Sequence, residues 1–293
     1  MNHNGFHREQ IQLPSMNYIS WSKCRAMLKS PRTFFEQYKT GAVRTDPTPA
    51  MKLGQLIHTA ILEPKKFRED FVIQPDFGPM QSKTNREKRD AWRREVDGKL
   101  IVEPQQLEQI VGIVERVMEH ERAREMLTGG KSEGWAYAWN ERFDRYLLGR
   151  PDFVTNDGIT VEVKTTSKGV DLNSFRREAF NHDYHGQLAL NCMVVGEIFG
   201  MKPNRRGAWI VISSVEPYDV AVYTASENVI MAGEAKVERA LTDIQRHLDK
   251  DPELRDKRLW LGPQGNNAEE LEFLPWMLSN DDDFDFLTNQ NLP

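Results

Sequence analysis

An aspartate and a Glu-x-Lys triplet separated by a tight turn constrain this chain more than any other feature. Residues 149–152 read Gly-Arg-Pro-Asp, and after Asn156-Asp157-Gly158 comes Ile159-Thr160-Val161-Glu162-Val163-Lys164-Thr165-Thr166. The Asn-Asp-Gly cluster suits positive φ and a short connection. β-Branched and apolar residues flank it, so the stretch predicts two strands joined by a turn. Side chains alternate along a strand, which puts Glu162 and Lys164 on one face and Val161 and Val163 on the other. If the strand carrying Asp152 pairs beside this one, two carboxylates and an ammonium meet at one end of the hairpin. Such a set suits a Mg²⁺ ion and chemistry on a phosphate. An ordinary hairpin with a polar solvent face has the same pattern, and the hairpin alone leaves both readings open.

Composition narrows the class. The 293 residues are 39% hydrophobic and 28% charged, enough for a sizeable core in one large domain or two small ones. No run approaches the ~18 apolar residues of a membrane span, and residues 1–14 lack the apolar segment of a signal peptide. Cys24 and Cys192 are the only cysteines, too few for a disulfide framework, so a reducing cytoplasm is expected. The net charge of −5 does not advertise a nucleic-acid binder, yet Asp281, Asp282, Asp283 and Asp285 sit together near the C-terminus. Without them the body is near neutral and can hold a basic channel, because placement of charge matters more than its sum.

Residues 1–15 are expected to be disordered. Ser20 opens a helix, and Ser30-Pro31 opens a second that carries Phe34, Phe35 and Tyr38 into the core. Residues 49–63 predict an apolar helix ended by Pro64, with His58 set among Leu56, Ile57, Ala60 and Ile61. That histidine is either a core residue bonded to a carbonyl or a neutral metal ligand. Residues 81–95 carry Lys83, Arg86, Lys88, Arg89, Arg93 and Arg94 on a helix, which either tracks a phosphate backbone or is a solvated face. Apolar residues at helical spacing predict one long core helix over 104–128. Strands are expected over 132–140 and 142–148, the first opened by Glu133. A helix capped by Asp171 or Asn173, the segment Tyr184-His185-Gly186-Gln187 leading into an apolar helix to Phe199, strands over 207–214 and 218–224, a helix over 226–248 and a Pro- and Trp-containing coil beyond it complete the pattern. No Gly-rich phosphate loop, nucleophile elbow or His-Glu-x-x-His zinc helix is present.

The order helix, three strands, helix, strand, with Pro151-Asp152 and Glu162-Val163-Lys164 on the second and third strands, resembles the PD-(D/E)XK nuclease core. It is an α/β fold, a central mixed sheet flanked by helices, here with an N-terminal helical elaboration. Gly54-x-x-x-His58, Gly149-Arg150-Pro151-Asp152, Val161-Glu162-Val163-Lys164-Thr165-Thr166 and Tyr184-His185-x-Gln187 further resemble exodeoxyribonuclease VIII, a phage-type recombination exonuclease family. Ser20-x-Ser22, Ser30-Pro31-x-x-Phe34 and Leu62-Glu63-Pro64 are similar to that family as well, so the resemblance spans about residues 18–250. One domain over 16–278 is expected, followed by an acidic tail over 279–293.

The resemblance implies Mg²⁺, with Mn²⁺ tolerated, held by Asp152, Glu162, His58 and the carbonyl of Val163, with Glu133 as a further carboxylate. It implies that Lys164 orients or deprotonates the attacking water and that Gln187 contacts the scissile-side backbone. Arg150, Thr165, Thr166 and Tyr184, with Lys83, Arg86, Arg89 and Arg93 of the basic helix, are the expected DNA contacts. The family shows Tyr four positions after the Gln, where this chain has Asn191, with Tyr184 a candidate replacement. The implied activity is 5′→3′ degradation of linear double-stranded DNA, leaving a 3′ single strand for an annealing protein. A homo-oligomeric ring of three or four copies, in the cytoplasm of a bacterium and encoded by a phage or prophage, completes the implication. An endonuclease, a single-strand nuclease and a non-catalytic DNA-binding protein on the same fold are the alternatives; the iron–sulphur branch needs four cysteines. The tail, Asp281-Asp282-Asp283-Phe284-Asp285-Phe286-Leu287, is either a disordered solubilising end, a docking peptide for a basic pocket on a partner, or a DNA mimic.

Overall fold

A computed structural model describes residues 4–7, 9–40, 48–132 and 134–272. Glu133 and the acidic segment 279–293 lie outside the described residues.

The N-terminal part comprises β1 (Gly5–His7), β2 (Tyr18–Ser20), α1 (Trp21–Lys29) and α2 (Pro31–Phe35). Ser30 caps α2 by accepting from the Thr33 N–H at 3.0 Å, with Pro31 in the first turn. Structure was not expected before residue 16, but β1 pairs antiparallel with residues 135–137, and Ile11 N–H donates to the Tyr137 hydroxyl at 3.1 Å. Three residues are too few to show a strand period; only the sheet edge they meet specifies them.

Next come α3 (Pro49–Leu62), α4 (Pro64–Asp70), β3 (Phe71–Ile73), α5 (Lys83–Glu95), β4 (Leu100–Val102), α6 (Pro104–Glu119) and α7 (Glu121–Met126). The helix expected over 104–128 is thus two. His120 leaves the helical region at ψ 103°, and its Nδ1 accepts from Ala123 N–H at 3.2 Å, capping α7.

The centre holds β5 (Gly130–Ser132), β6 (Trp135–Asn140), β7 (Arg145–Gly149), β8 (Phe153–Thr155) and β9 (Thr160–Thr166). β5–β6 and β7–β8 form an antiparallel ribbon interrupted midway. Ser132 faces Phe153 and Ala136 faces Gly149 in one register, and Pro151, which has no N–H to donate, lies in the interruption. The ribbon therefore feeds two sheets. One has the order β1-β6-β7-β2. The other runs β11-β10-β9-β8-β5, with β10 (Gly207–Ser213) parallel to β9 and β11 (Val220–Thr224) antiparallel to β10. The remaining helices are α8 (Leu172–Asn181), α9 (Tyr184–Phe199) and α10 (Glu227–Leu248). Asp171, not Asn173, caps α8, accepting from the N–H groups of Asn173 and Ser174.

Strand alternation decides what each face of the five-stranded sheet meets. Val161 and Val163 of β9, with Ile210 and Ile212 of β10, pack against Ile57 and Ile61 of α3 and Ile110 and Ile113 of α6. Trp209 and Val211 turn the other way, toward Leu188 and Cys192 of α9. Glu162 and Lys164 share that second face. A helix, not solvent, covers the polar side of the hairpin. Both cysteines are buried and free. No helix among the described residues is long and apolar enough to cross a membrane.

Candidate active site

The strand that Asp152 leads into and the strand that carries Glu162 are neighbours. β8 and β9 pair antiparallel with Phe153 facing Val161, and Val163 N–H donates to Asp152 Oδ2 at 2.7 Å. Asp152 is thereby pinned to the strand that bears Glu162 and Lys164. Its other oxygen, Oδ1, lies 3.7 Å from His58 Nδ1. His58 arrives from α3, which approaches β9 closely at Gly54, where a Cβ would stand 3.1 Å from Thr165 Oγ1.

Glu162 has no solvent exposure, and three donors satisfy its carboxylate. Oε2 accepts from Lys164 Nζ at 2.9 Å and from Gln187 Nε2 at 2.8 Å, while Oε1 accepts from Asn191 Nδ2 at 2.6 Å. Gln187 Oε1 accepts in turn from Lys164 Nζ at 3.3 Å, closing a triangle of Glu162, Lys164 and Gln187. Asn191 Oδ1 accepts from the backbone N–H of Arg150 at 3.1 Å, so one side chain of α9 ties Glu162 to the Gly-Arg-Pro-Asp segment. The Arg150 guanidinium lies 5.0 Å over the Trp135 ring, across the interruption in the ribbon.

Electrostatics follow from this burial. Withdrawal from water pushes the carboxyl pKa values of Asp152 and Glu162 up, with the Lys164 ammonium opposing the shift at both. Burial works against the charge on Lys164 as well, but the Glu162 and Asp152 carboxylates outweigh it and raise its pKa. Burial, aided by Lys164, lowers His58 to about 4, so its imidazole is neutral at pH 7 and offers a nitrogen lone pair.

His58, Asp152, Lys164, Gln187, Arg150 and Tyr184 open onto one cleft of about 890 Å³. A second hollow of about 460 Å³ shares Arg150, Tyr184 and Gln187 with it. Among the described residues no three His, Cys, Asp or Glu side chains are gathered as for a metal ion, because Glu162 turns its oxygens to Lys164, Gln187 and Asn191.

The expected DNA contacts divide. Arg150, Thr165 and Tyr184 line the cleft. Thr166 does not: it is buried, and its hydroxyl donates to Glu178 Oε2 at 2.7 Å. The basic residues of α5 also stay away from the cleft. Arg86 donates to the carbonyls of Met80 and Gln81, Arg89 pairs with Asp90 at 2.8 Å, and Lys83 lies 3.8 Å from Glu87. Arg93 reaches Gln74 at 3.4 Å, and with Arg89 it lines a separate depression beside Phe77. Asn191 is the site residue that sequence reasoning did not assign. Its signal was present as a departure, an amide where the resembled family has Tyr.

An α/β core with Asp152 immediately before β8 and Glu162-Val163-Lys164 on the adjacent antiparallel β9 defines a PD-(D/E)XK-like domain. The chain belongs to the family described as PDDEXK-like domain of unknown function (DUF3799), matched over residues 20–253. A solved structure described as a "putative exonuclease" from Eubacterium rectale superposes with a TM-score of 0.55 at 12% identity, covering 93% of this chain and 100% of that one. This likeness is one of fold. Rai1 from Scheffersomyces stipitis superposes with a TM-score of only 0.27 at 10% identity, over 83% of this chain and 71% of that one, too loosely to carry an argument. No curated protein matches the chain.

Proposed function

We propose that this protein is a divalent-metal-dependent deoxyribonuclease, an exonuclease similar to exodeoxyribonuclease VIII that degrades linear duplex DNA 5′→3′. The observation that carries the reading is Asp152 bonded to the backbone of Val163, between Glu162 and Lys164, on the wall of a cleft that His58 faces. Carboxylate oxygens and a neutral imidazole are the donor chemistry a divalent cation takes, although Glu162 would first have to give up a bond to Lys164, Gln187 or Asn191. Asp152 Oδ1 lies 3.7 Å from His58 Nδ1, and burial disfavours the charge on both carboxylates beside Lys164. Asp152, Glu162, His58 and the Val163 carbonyl are the residues that would hold Mg²⁺ or Mn²⁺. A divalent ion bound there would lower the pKa of a water and offset charge developing on the phosphoryl oxygens.

The chain's own residues supply the rest. Lys164, held by Glu162 and Gln187, would orient or deprotonate the attacking water and offset charge on a phosphoryl oxygen. Gln187 positions Lys164 and Glu162 relative to each other. Arg150 and Tyr184 at the rim would contact the phosphate backbone and a base. The 3′ strand left behind would pass to a single-strand annealing protein. A ring of three or four copies around the duplex, working in the cytoplasm of a bacterium that carries the phage or prophage gene, belongs to the same reading.

The test compares 5′-phosphorylated linear, nicked and covalently closed circular duplexes in Mg²⁺, in Mn²⁺ and in EDTA. Loss of the linear duplex alone, dependent on metal, is the expected outcome. Cleavage of the closed circle would replace the exonuclease with an endonuclease, and inertness on all three in both metals would refute the enzyme.

A further inference from the structure

The C-terminal end of α1, the last turns of α10 and residues 258–265 enclose a groove of about 610 Å³ on a different set of residues from the cleft. Its walls are cationic. Arg239 and Arg246 stand two turns apart along α10, Lys250 follows just past its end, Lys29 comes from α1 and Arg258 from the segment beyond. Asp243 is the acid within the groove and is paired with Arg246 at 2.9 Å; Arg258 is paired at its rim with Asp256 at 2.9 Å. Lys29, Arg239 and Lys250 are exposed and make no ion pair among the described residues. Leu28, Leu259 and Leu261 line it as well, so the groove offers apolar surface as well as charge.

This wall is firmly built. Trp260 is buried, stacks on Phe34 at 5.6 Å and donates its indole N–H to Asp251 Oδ2 at 2.9 Å. Arg32 Nε donates to the Trp260 carbonyl at 2.6 Å, and the Arg32 N–H to the Leu261 carbonyl at 2.9 Å. The anchored segment leaves Leu259 and Leu261 lining the groove beside the cations.

We infer that the groove is the docking site for this chain's own acidic segment, Asp281-Asp282-Asp283-Phe284-Asp285-Phe286-Leu287. Three observations converge on that occupant. The segment combines acidic with aromatic and leucine side chains, and the groove lining combines cations with leucines. A bare phosphate backbone would satisfy the cations and leave the leucines uncovered. The chain leaves from the groove itself, because Leu261, Gly262 and Gly265 line it. From Glu272, the last described residue, to Asp281 the connection is nine residues. That length spans about 30 Å when extended. Tethering raises the effective concentration of the segment into the millimolar range, so modest intrinsic affinity keeps the groove filled. This inference is independent of the nuclease reading.

A fluorescent peptide copying residues 279–293 tests it on the full chain. In a chain with Asp281→Asn, Asp282→Asn, Asp283→Asn and Asp285→Asn the groove is vacated, and the peptide should bind with an affinity that falls as salt rises. The wild-type chain, its groove filled from within, should bind the peptide about tenfold more weakly or less. Adding Arg246→Glu and Lys250→Glu to the neutralised chain should remove binding, and Arg239→Glu should weaken it without touching the Arg246 pair. Equal peptide affinity in wild-type and neutralised chains overturns the proposal, as does binding that survives the charge reversals. Charge reversal that removes binding of a duplex oligonucleotide and spares the peptide would overturn it too, making the groove a nucleic-acid surface.

Discussion

Asn191 of α9 and Glu162 of β9 meet at 2.6 Å in a site closed to water, amide nitrogen to carboxylate oxygen. Because the same amide accepts from Arg150 N–H, this contact sets how β9 stands relative to the Gly-Arg-Pro-Asp segment. Replacing Asn191 with Leu would leave one Glu162 oxygen and one backbone N–H without partners, at a cost of about 2–4 kcal/mol. Asn191→Asp should cost more, since a second carboxylate would face the first. Urea midpoints of the two variants check this. A loss under about 0.5 kcal/mol in both would show that Glu162 finds another donor.

Gly149 makes room for that amide. A Cβ there would stand 2.7 Å from Asn191 Oδ1 and 3.5 Å from Val194 Cβ. Gly149→Ala should therefore destabilise the chain by about 1–3 kcal/mol through overpacking. Combining it with Asn191→Ala should cost clearly less than the two single losses together, a coupling that a double-mutant cycle measures.

Lys23 supplies a pH dependence. Only 1% of the residue is exposed; its Nζ donates to the carbonyls of Ser15 and Tyr18, and burial lowers its pKa from 10.5 to about 7. A lysine whose folded pKa is depressed carries fewer protons in the folded chain than in the unfolded one between those values. Stability from this group should therefore rise as pH climbs from about 7 toward 10.5 and gain nothing below 7. Urea midpoints at pH 6.5 and 9 should show a gain in the wild type that shrinks in Lys23→Met. The same pH response in both chains would exclude Lys23 as the source.

Much of this arrangement was legible in the sequence. The hairpin announced itself because β alternation and an Asn-Asp-Gly turn are local signals, and His58 stood out as one imidazole on an apolar helix. What escaped notice depends on distant partners. Asn191 stands out in the sequence only as a departure from the resembled family's Tyr, and its partners appear only once β9 passes beneath α9. Gly5–His7 becomes a strand only against β6. The basic residues of α5 make a conspicuous run, but that Arg89 pairs with Asp90 and Arg86 with the Met80 carbonyl, outside the cleft, appears only in the structure. Residues after 248 looked like coil because a single tryptophan carries no period, although Trp260 is as buried as any residue of the sheet.

Trp260 makes a direct check of that last point. It packs on Phe34, Phe35 and His247 with centroids 5.6, 5.8 and 5.1 Å away, so Trp260→Ala should cost about 3–5 kcal/mol. A loss below about 1 kcal/mol in chemical denaturation would mean that the segment after α10 is dispensable to the fold.

We propose that Asp152 and Lys164 carry phosphodiester hydrolysis. Release of acid-soluble nucleotides from a 5′-phosphorylated linear duplex in Mg²⁺ measures it, with duplex binding followed in parallel by gel shift in Ca²⁺ for wild type, Asp152→Ala and Lys164→Ala. The wild type should release nucleotides while each variant loses at least about a thousandfold in rate and still shifts the duplex. Full nucleotide release by either variant would contradict the account, and so would a wild type that binds the duplex and leaves it intact in both Mg²⁺ and Mn²⁺.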